Sequence, residues 1–215
     1  MPEVLYYILI TVSLVSLIYN LKNLPDEFRL FIPLLLLSLT VEGTRFILPD
    51  RHSLSIFLFS IYTPVEYVLI SLIIISFLSS VRKRKIIWIS IPFFIFFSFY
   101  AQFGIKNSGV FYRYLDVLIE SPLIFTWTLF YFFQLFSDEV NFYFRSNPRF
   151  WISAGNLLFF SGSFFSYGFG AYLHNTNRSN LAETVFWIER ILNIFLYIFY
   201  IIGFLCVGKK KSLSW

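Results

Sequence analysis

Seven ionisable side chains stand inside stretches that are otherwise apolar: Glu42 and Arg45, Glu66, Asp116 and Glu120, Glu189 and Arg190. A charge at the centre of a lipid-exposed helix costs about 2.5–3.5 kcal/mol, so seven of them in lipid would cost on the order of 20 kcal/mol, enough to exceed a domain's stability. They are expected to face a bundle interior or an aqueous cavity, or to sit near an interface. Glu42 and Arg45 are three residues apart and can pair along one helix face. Asp116 and Glu120 are four apart, two stacked acids that ionise together only if a cation joins them. Glu189 and Asn193 share a face, with Tyr197 one turn on. Arg190 is rotated from Glu189 by about 100° and reaches a neighbouring helix or points outward. Five acids against two arginines leave a formal −3. Either some of the carboxyls carry protons or the layer hosts a cation.

The chain that must position these groups has 215 residues, of which 58% are hydrophobic, 23% aromatic and 13% charged. Soluble domains run at about 45–50% apolar and about 25% charged, and the mean hydropathy of +0.72 agrees with the contrast. The composition points to an integral membrane protein. It excludes a disordered chain, a disulfide scaffold and a soluble catalytic domain on a single anchor. A hydrocarbon core about 30 Å thick takes roughly 20 apolar residues per helix. Runs of that kind fall at about 4–21, 30–48, 54–80, 86–103, 114–136, 150–173 and 184–207. The expected fold is an all-α seven-transmembrane-helix bundle forming a single domain over 1–215. Met1–Asn20 has Glu3 in place of a basic leader and is expected to stay as the first helix.

Lysine and arginine set the orientation. The first, third and fifth connections and the tail hold eleven of them, including Arg82, Lys83, Arg84 and Lys85, against four in the other connections. This predicts an N-terminus outside and a C-terminus in the cytoplasm. The basic balance then reads as a topology signal with lipid-headgroup contact, and no nucleic-acid partner is expected. At about 1.5 Å per residue, the seven charges all fall at the midplane or in the outer half. Pro64 and Pro122 stand beside the deep acids. Each removes a helical N–H, which frees the carbonyls of Ser60 and Leu118 where they could help to shape a pocket.

Other chemistries are poorly supplied. His52 and His174 lie in outer connections and Cys206 is far from both, so neither a metal set nor another cofactor is expected. No lysine falls inside the seven runs, which excludes a retinal Schiff base. Gly162, Ser161 and Ser163 suit close helix packing better than nucleophilic catalysis. Trp88, Trp151 and Trp187 are placed as interfacial anchors, while Trp127 is deep enough to line the bundle.

Several segments resemble small seven-span membrane proteins of Gram-negative bacteria: Leu39-Thr40-Val41-Glu42, Ile61-Tyr62-Thr63-Pro64-Val65-Glu66-Tyr67, Asn147-Pro148-Arg149-Phe150-Trp151-Ile152 and Ile191-Leu192-Asn193-Ile194 with Gly203-Phe204-Leu205-Cys206. That resemblance implies a sensor or accessory protein associated with membrane signalling. Ala154–Ser163 is similar to a helix of the lysoplasmalogenase-like membrane family, although Gly162 stands where that family has Asp and an eighth span is missing.

The expected function is that of a non-enzymatic heptahelical sensor or accessory protein of the inner (plasma) membrane. A small amphipathic or charged ligand would enter from the outer side into a layer of Glu42, Arg45, Glu66, Asp116, Glu120, Glu189, Arg190 and Asn193. A cytoplasmic or membrane partner would meet the Arg82–Lys85 connection and the tail. The alternatives are an intramembrane lipid hydrolase with two carboxyls as general acid and base, and a proton-coupled transporter, whose usual inverted repeats are not evident.

Overall fold

The computed structural model describes residues 2–48, 53–104, 115–137, 146–176 and 178–206. Within them every regular element is helical. Seven long helices follow in order: α1 (Pro2–Asn20), α2 (Phe31–Ile47), α3 (Ser53–Phe77), α4 (Val81–Phe99), α5 (Leu115–Ser137), α6 (Pro148–Asn175) and α7 (Ser179–Leu205). A 3-10 turn, Asp26–Leu30, leads into α2, and a π turn, Tyr100–Gly104, continues α4. The Pro49-Asp50 and Asn107–Gly109 connections, His52, Asn177 and the lysines of the tail lie outside the described residues.

Local chemistry explains several of the ends. Asn147 caps α6 by accepting a hydrogen bond from the Arg149 backbone N–H at 3.0 Å, and Pro148 follows at the first helical position, where its missing N–H leaves no helical bond unmade. Asp26 and Glu27 occupy the first turn of the 3-10 segment, where a helix end favours negative charge. The start of α4 differs from expectation. Hydropathy places it near residue 86, but the helix begins at Val81, so Arg82, Lys83, Arg84 and Lys85 form its first turn instead of a connection. Lysine and arginine are good helix formers, and apolar content alone cannot register that. The exclusion of helical lysines accordingly applies to the apolar runs and not to α4 as a whole.

The helices close into a ring. α1 packs on α2, α2 on α3, α3 on α5, α5 on α6, α6 on α7, and α7 returns to α1. α4 stands outside this ring, against α3 and α5. The most extensive packing joins α6 and α7, where small residues let the backbones approach. A Cβ at Gly155 would lie 2.9 Å from Cβ of Phe199, and one at Gly203 would lie 3.2 Å from the Pro148 carbonyl. Gly162 is likewise covered by Leu192, as the packing role expected of it requires.

Among the described residues, four helical segments are long and apolar enough to cross a membrane: Phe57–Phe77, Val81–Gln102, Leu115–Ser137 and Asn180–Leu205. Val4–Asn20 is apolar but shorter. Large apolar side chains such as Val15, Ile89, Phe93, Phe96 and Phe165 are exposed on the outside of the bundle. That is the arrangement expected of surfaces that contact lipid.

The interior divides into two levels. Towards the α1–α2 connection it is aromatic, with Phe28, Phe31, Phe77, Tyr200 and Phe204 in edge and tilted contacts at 5.2–6.2 Å. That end is fastened by polar contacts. The Arg149 guanidinium donates to Glu27, lies 5.5 Å from the Phe77 ring centroid, and so joins the α1–α2 connection, α3 and α6. Gln134 accepts hydrogen bonds from the Ser79 backbone N–H at 2.7 Å and its hydroxyl at 2.9 Å. The other level is polar and contains the candidate site.

Candidate functional site

The polar level is assembled from side chains one or two helical turns apart on separate helices. On α3, Tyr62 and Glu66 are four residues apart, and the Tyr62 hydroxyl donates to Oε1 of Glu66 at 2.8 Å. Ser38 of α2 lies 3.2 Å from the same hydroxyl. Tyr197 of α7 stands beside Ser38 and against Tyr6 of α1, the two tyrosine rings meeting edge-on at 5.5 Å. Tyr7 donates to the Glu42 carbonyl at 3.0 Å, tying α1 to α2 at the same height. On α7, the Asn193 amide donates to Oε1 of Glu189 at 2.7 Å, the contact expected from their spacing. Tyr200, one turn below Tyr197, donates to Oδ1 of buried Asn156 on α6 at 2.6 Å.

The acids of α2, α3, α5 and α7 converge. Glu66 lies within electrostatic reach of Glu42 and Glu189, and Glu120 within reach of Glu66 and Asp116. Asp116 and Glu120 are 1% and 2% exposed. Asp116 is well supplied with donors: Gln102 Nε2 at 2.7 Å and the Val117 backbone N–H at 2.9 Å. Glu120 is not, because its buried Oε1 has no hydrogen-bond partner. A buried acceptor left without a donor forfeits about 1–3 kcal/mol.

Pro64 has the local consequence expected of it. The Ser60 carbonyl, deprived of its helical donor, accepts a hydrogen bond from Gln102 Nε2 at 3.3 Å. Gln102 belongs to the π turn that ends α4, and its amide joins the freed carbonyl of α3 to the Asp116 carboxylate of α5. Its importance was not readable in the sequence, since an uncharged residue near the end of an apolar run stands out by neither charge nor spacing.

Six of the eight residues predicted to form the site are therefore placed at this level. Arg190 is turned outward: it is exposed, and its guanidinium lies 5.1 Å from the Trp187 ring centroid. The backbone of Arg45 lies in the last turns of α2, but its side chain falls outside the described residues. Trp127 is buried and donates to the Tyr67 hydroxyl at 3.2 Å, which in turn lies 2.7 Å from Ser90 of α4. Two of the site's tyrosines carry a signal in the sequence, Tyr197 one turn beyond Asn193 and Tyr62 four residues before Glu66; Tyr6 and Tyr7 carry none, because aromatic residues are so abundant there.

Among the described residues no three of His, Cys, Asp and Glu gather closely enough to hold a metal ion. His174 is exposed near the end of α6. Compared with known proteins, the chain matches no family model, no curated protein and no solved structure.

Proposed function

We propose that the protein is a multi-pass sensor or accessory protein of the inner (plasma) membrane, binding a small charged or amphipathic ligand at the acid cluster. In this reading all seven helices cross the bilayer, with the N-terminus outside and the cluster in the outer half. The excess of Lys and Arg in the alternate connections supports that orientation. A cytoplasmic or membrane signalling partner, as the resemblance to Gram-negative seven-span proteins implies, would read the bound state at the basic first turn of α4 and the tail.

The observation that carries the proposal is Glu120, a buried carboxyl with an unpartnered oxygen among other acids, on a helix long and apolar enough to cross a membrane. Ionisable groups at such depth are rare outside functional sites.

Native mass spectrometry of the protein released gently from its membrane tests this. A small molecule is expected on the wild type and absent from Glu66→Gln, with both variants eluting as folded protein. A wild type that carries nothing, and whose melting temperature is unmoved by panels of amphipathic cations and anions, would remove the sensor reading.

A further inference from the structure

We infer that the ligand of the Glu66–Glu120 pair is a small organic monocation of the ammonium class, bound in exchange for a proton. This rests on the ligand-binding reading above and adds the chemical class and the coupling. Both members of the pair are acceptors, and among the described residues the charged groups within their reach are all acids: Glu42 of α2 and Glu189 of α7 for Glu66, Asp116 of α5 for Glu120. The remaining groups that face them are neutral. Tyr62 of α3 donates to Glu66, with Ser38 of α2 against the same hydroxyl; Tyr197 of α7 is within reach of Glu66, and Tyr6 of α1 lies against Tyr197. Tyr200 of α7 is also within reach of Glu66, and Tyr67 of α3 of Glu120.

Acids and acceptors of this kind suit a cation. The site's five acids come from four helices, with no three at metal-ligating distance among the described residues, which suits a diffuse organic charge better than a compact divalent ion. The Tyr62 hydroxyl, which donates to Glu66, keeps lone pairs that are a further acceptor for an ammonium group. The unpartnered Oε1 of Glu120 supplies the acceptor that an N–H or polarised C–H of such a ligand would need.

The proton follows from charge conservation in a buried site. Glu66 and Glu120, buried and within electrostatic reach of each other, cannot both be ionised there without a counter-charge, so without a bound cation the pair holds a proton. When the monocation enters, that proton leaves to water; one positive charge replaces another and the net charge of the site is unchanged.

The test uses the full chain in detergent with tetramethylammonium chloride as probe and sodium chloride at equal ionic strength as control. Tetramethylammonium is expected to raise the melting temperature, with an apparent affinity weakened about tenfold for each unit by which the pH falls, the signature of one-for-one exchange. The infrared difference spectrum on binding should lose a protonated-carboxyl band and gain a carboxylate band, and Glu120→Gln should lose both changes while still eluting as folded protein. An affinity independent of pH, or no response to tetramethylammonium by the folded wild type, overturns the inference. Stabilisation by an alkyl sulfonate in place of the ammonium overturns it too, yet leaves the ligand-binding reading standing.

Discussion

Gln102 donates a 2.7 Å hydrogen bond to the buried carboxylate of Asp116, and the same nitrogen reaches the Ser60 carbonyl that Pro64 leaves without a helical donor. One amide thus serves a backbone defect on α3 and an acid on α5. It also fixes the end of α4, the helix outside the ring, against the polar level.

Gln102→Ala should therefore destabilise the protein by about 1–3 kcal/mol, the effect of leaving a buried acceptor unpaired. Pro64→Ala restores an N–H four residues after Ser60. In that background the Gln102→Ala loss should shrink by about 1 kcal/mol, the share belonging to the carbonyl. Chemical unfolding of the four proteins in one detergent completes the cycle, and strict additivity would deny the shared role.

At the opposite end, Arg149→Ala should lower stability by about 1–2 kcal/mol, less than a fully buried pair because Arg149 is 38% exposed and partly screened. Arg149→Lys should recover only part of it, since a lysine keeps the charge but loses the planar stacking on Phe77. Thermal unfolding at low and high salt separates the two contributions: the charge part weakens with salt and the stacking part does not.

The α6–α7 contact makes a steric prediction. Gly155→Leu should destabilise by about 1–3 kcal/mol or more, because Phe199 Cβ already occupies the space. Ala154→Leu, one residue away and only partly buried, should be markedly milder. Melting temperatures of the two variants decide between a tight helix pair and a loose one.

Orientation can be read with single cysteines placed in a Cys206→Ser background. A membrane-impermeant maleimide should label Ser80→Cys from the cytoplasmic side and Asn175→Cys from the outside. Reversed labelling would invert the proposed topology, and labelling of both from one side would break the alternation of spans.

Most of the architecture was legible because bilayer-length apolar runs and helix-compatible spacing coincide. The runs at 4–21, 30–48 and 114–136 correspond closely to Pro2–Asn20, Phe31–Ile47 and Leu115–Ser137. The misses share a cause. Hydropathy measures transfer into lipid, so it ended the fourth run short of Arg82–Lys85 and began the seventh at 184, whereas backbone hydrogen bonding carries α4 back to Val81 and α7 back to Ser179. In the site, the Glu189–Asn193 bond followed from local spacing. The partnership of Gln102 with Ser60 and Asp116 depends on how α4 lies against α3 and α5, and no single-helix pattern encodes that.

The ring is closed by its first and last members, α1 against α7. Chains are made from the N-terminus, and elements assemble as they emerge. Until α7 arrives, Glu66 lacks Glu189 and Tyr197 on that side, and Tyr6 lacks its edge contact with Tyr197. A chain truncated before α7 would therefore leave the Glu66 carboxyl uncovered where the finished ring encloses it.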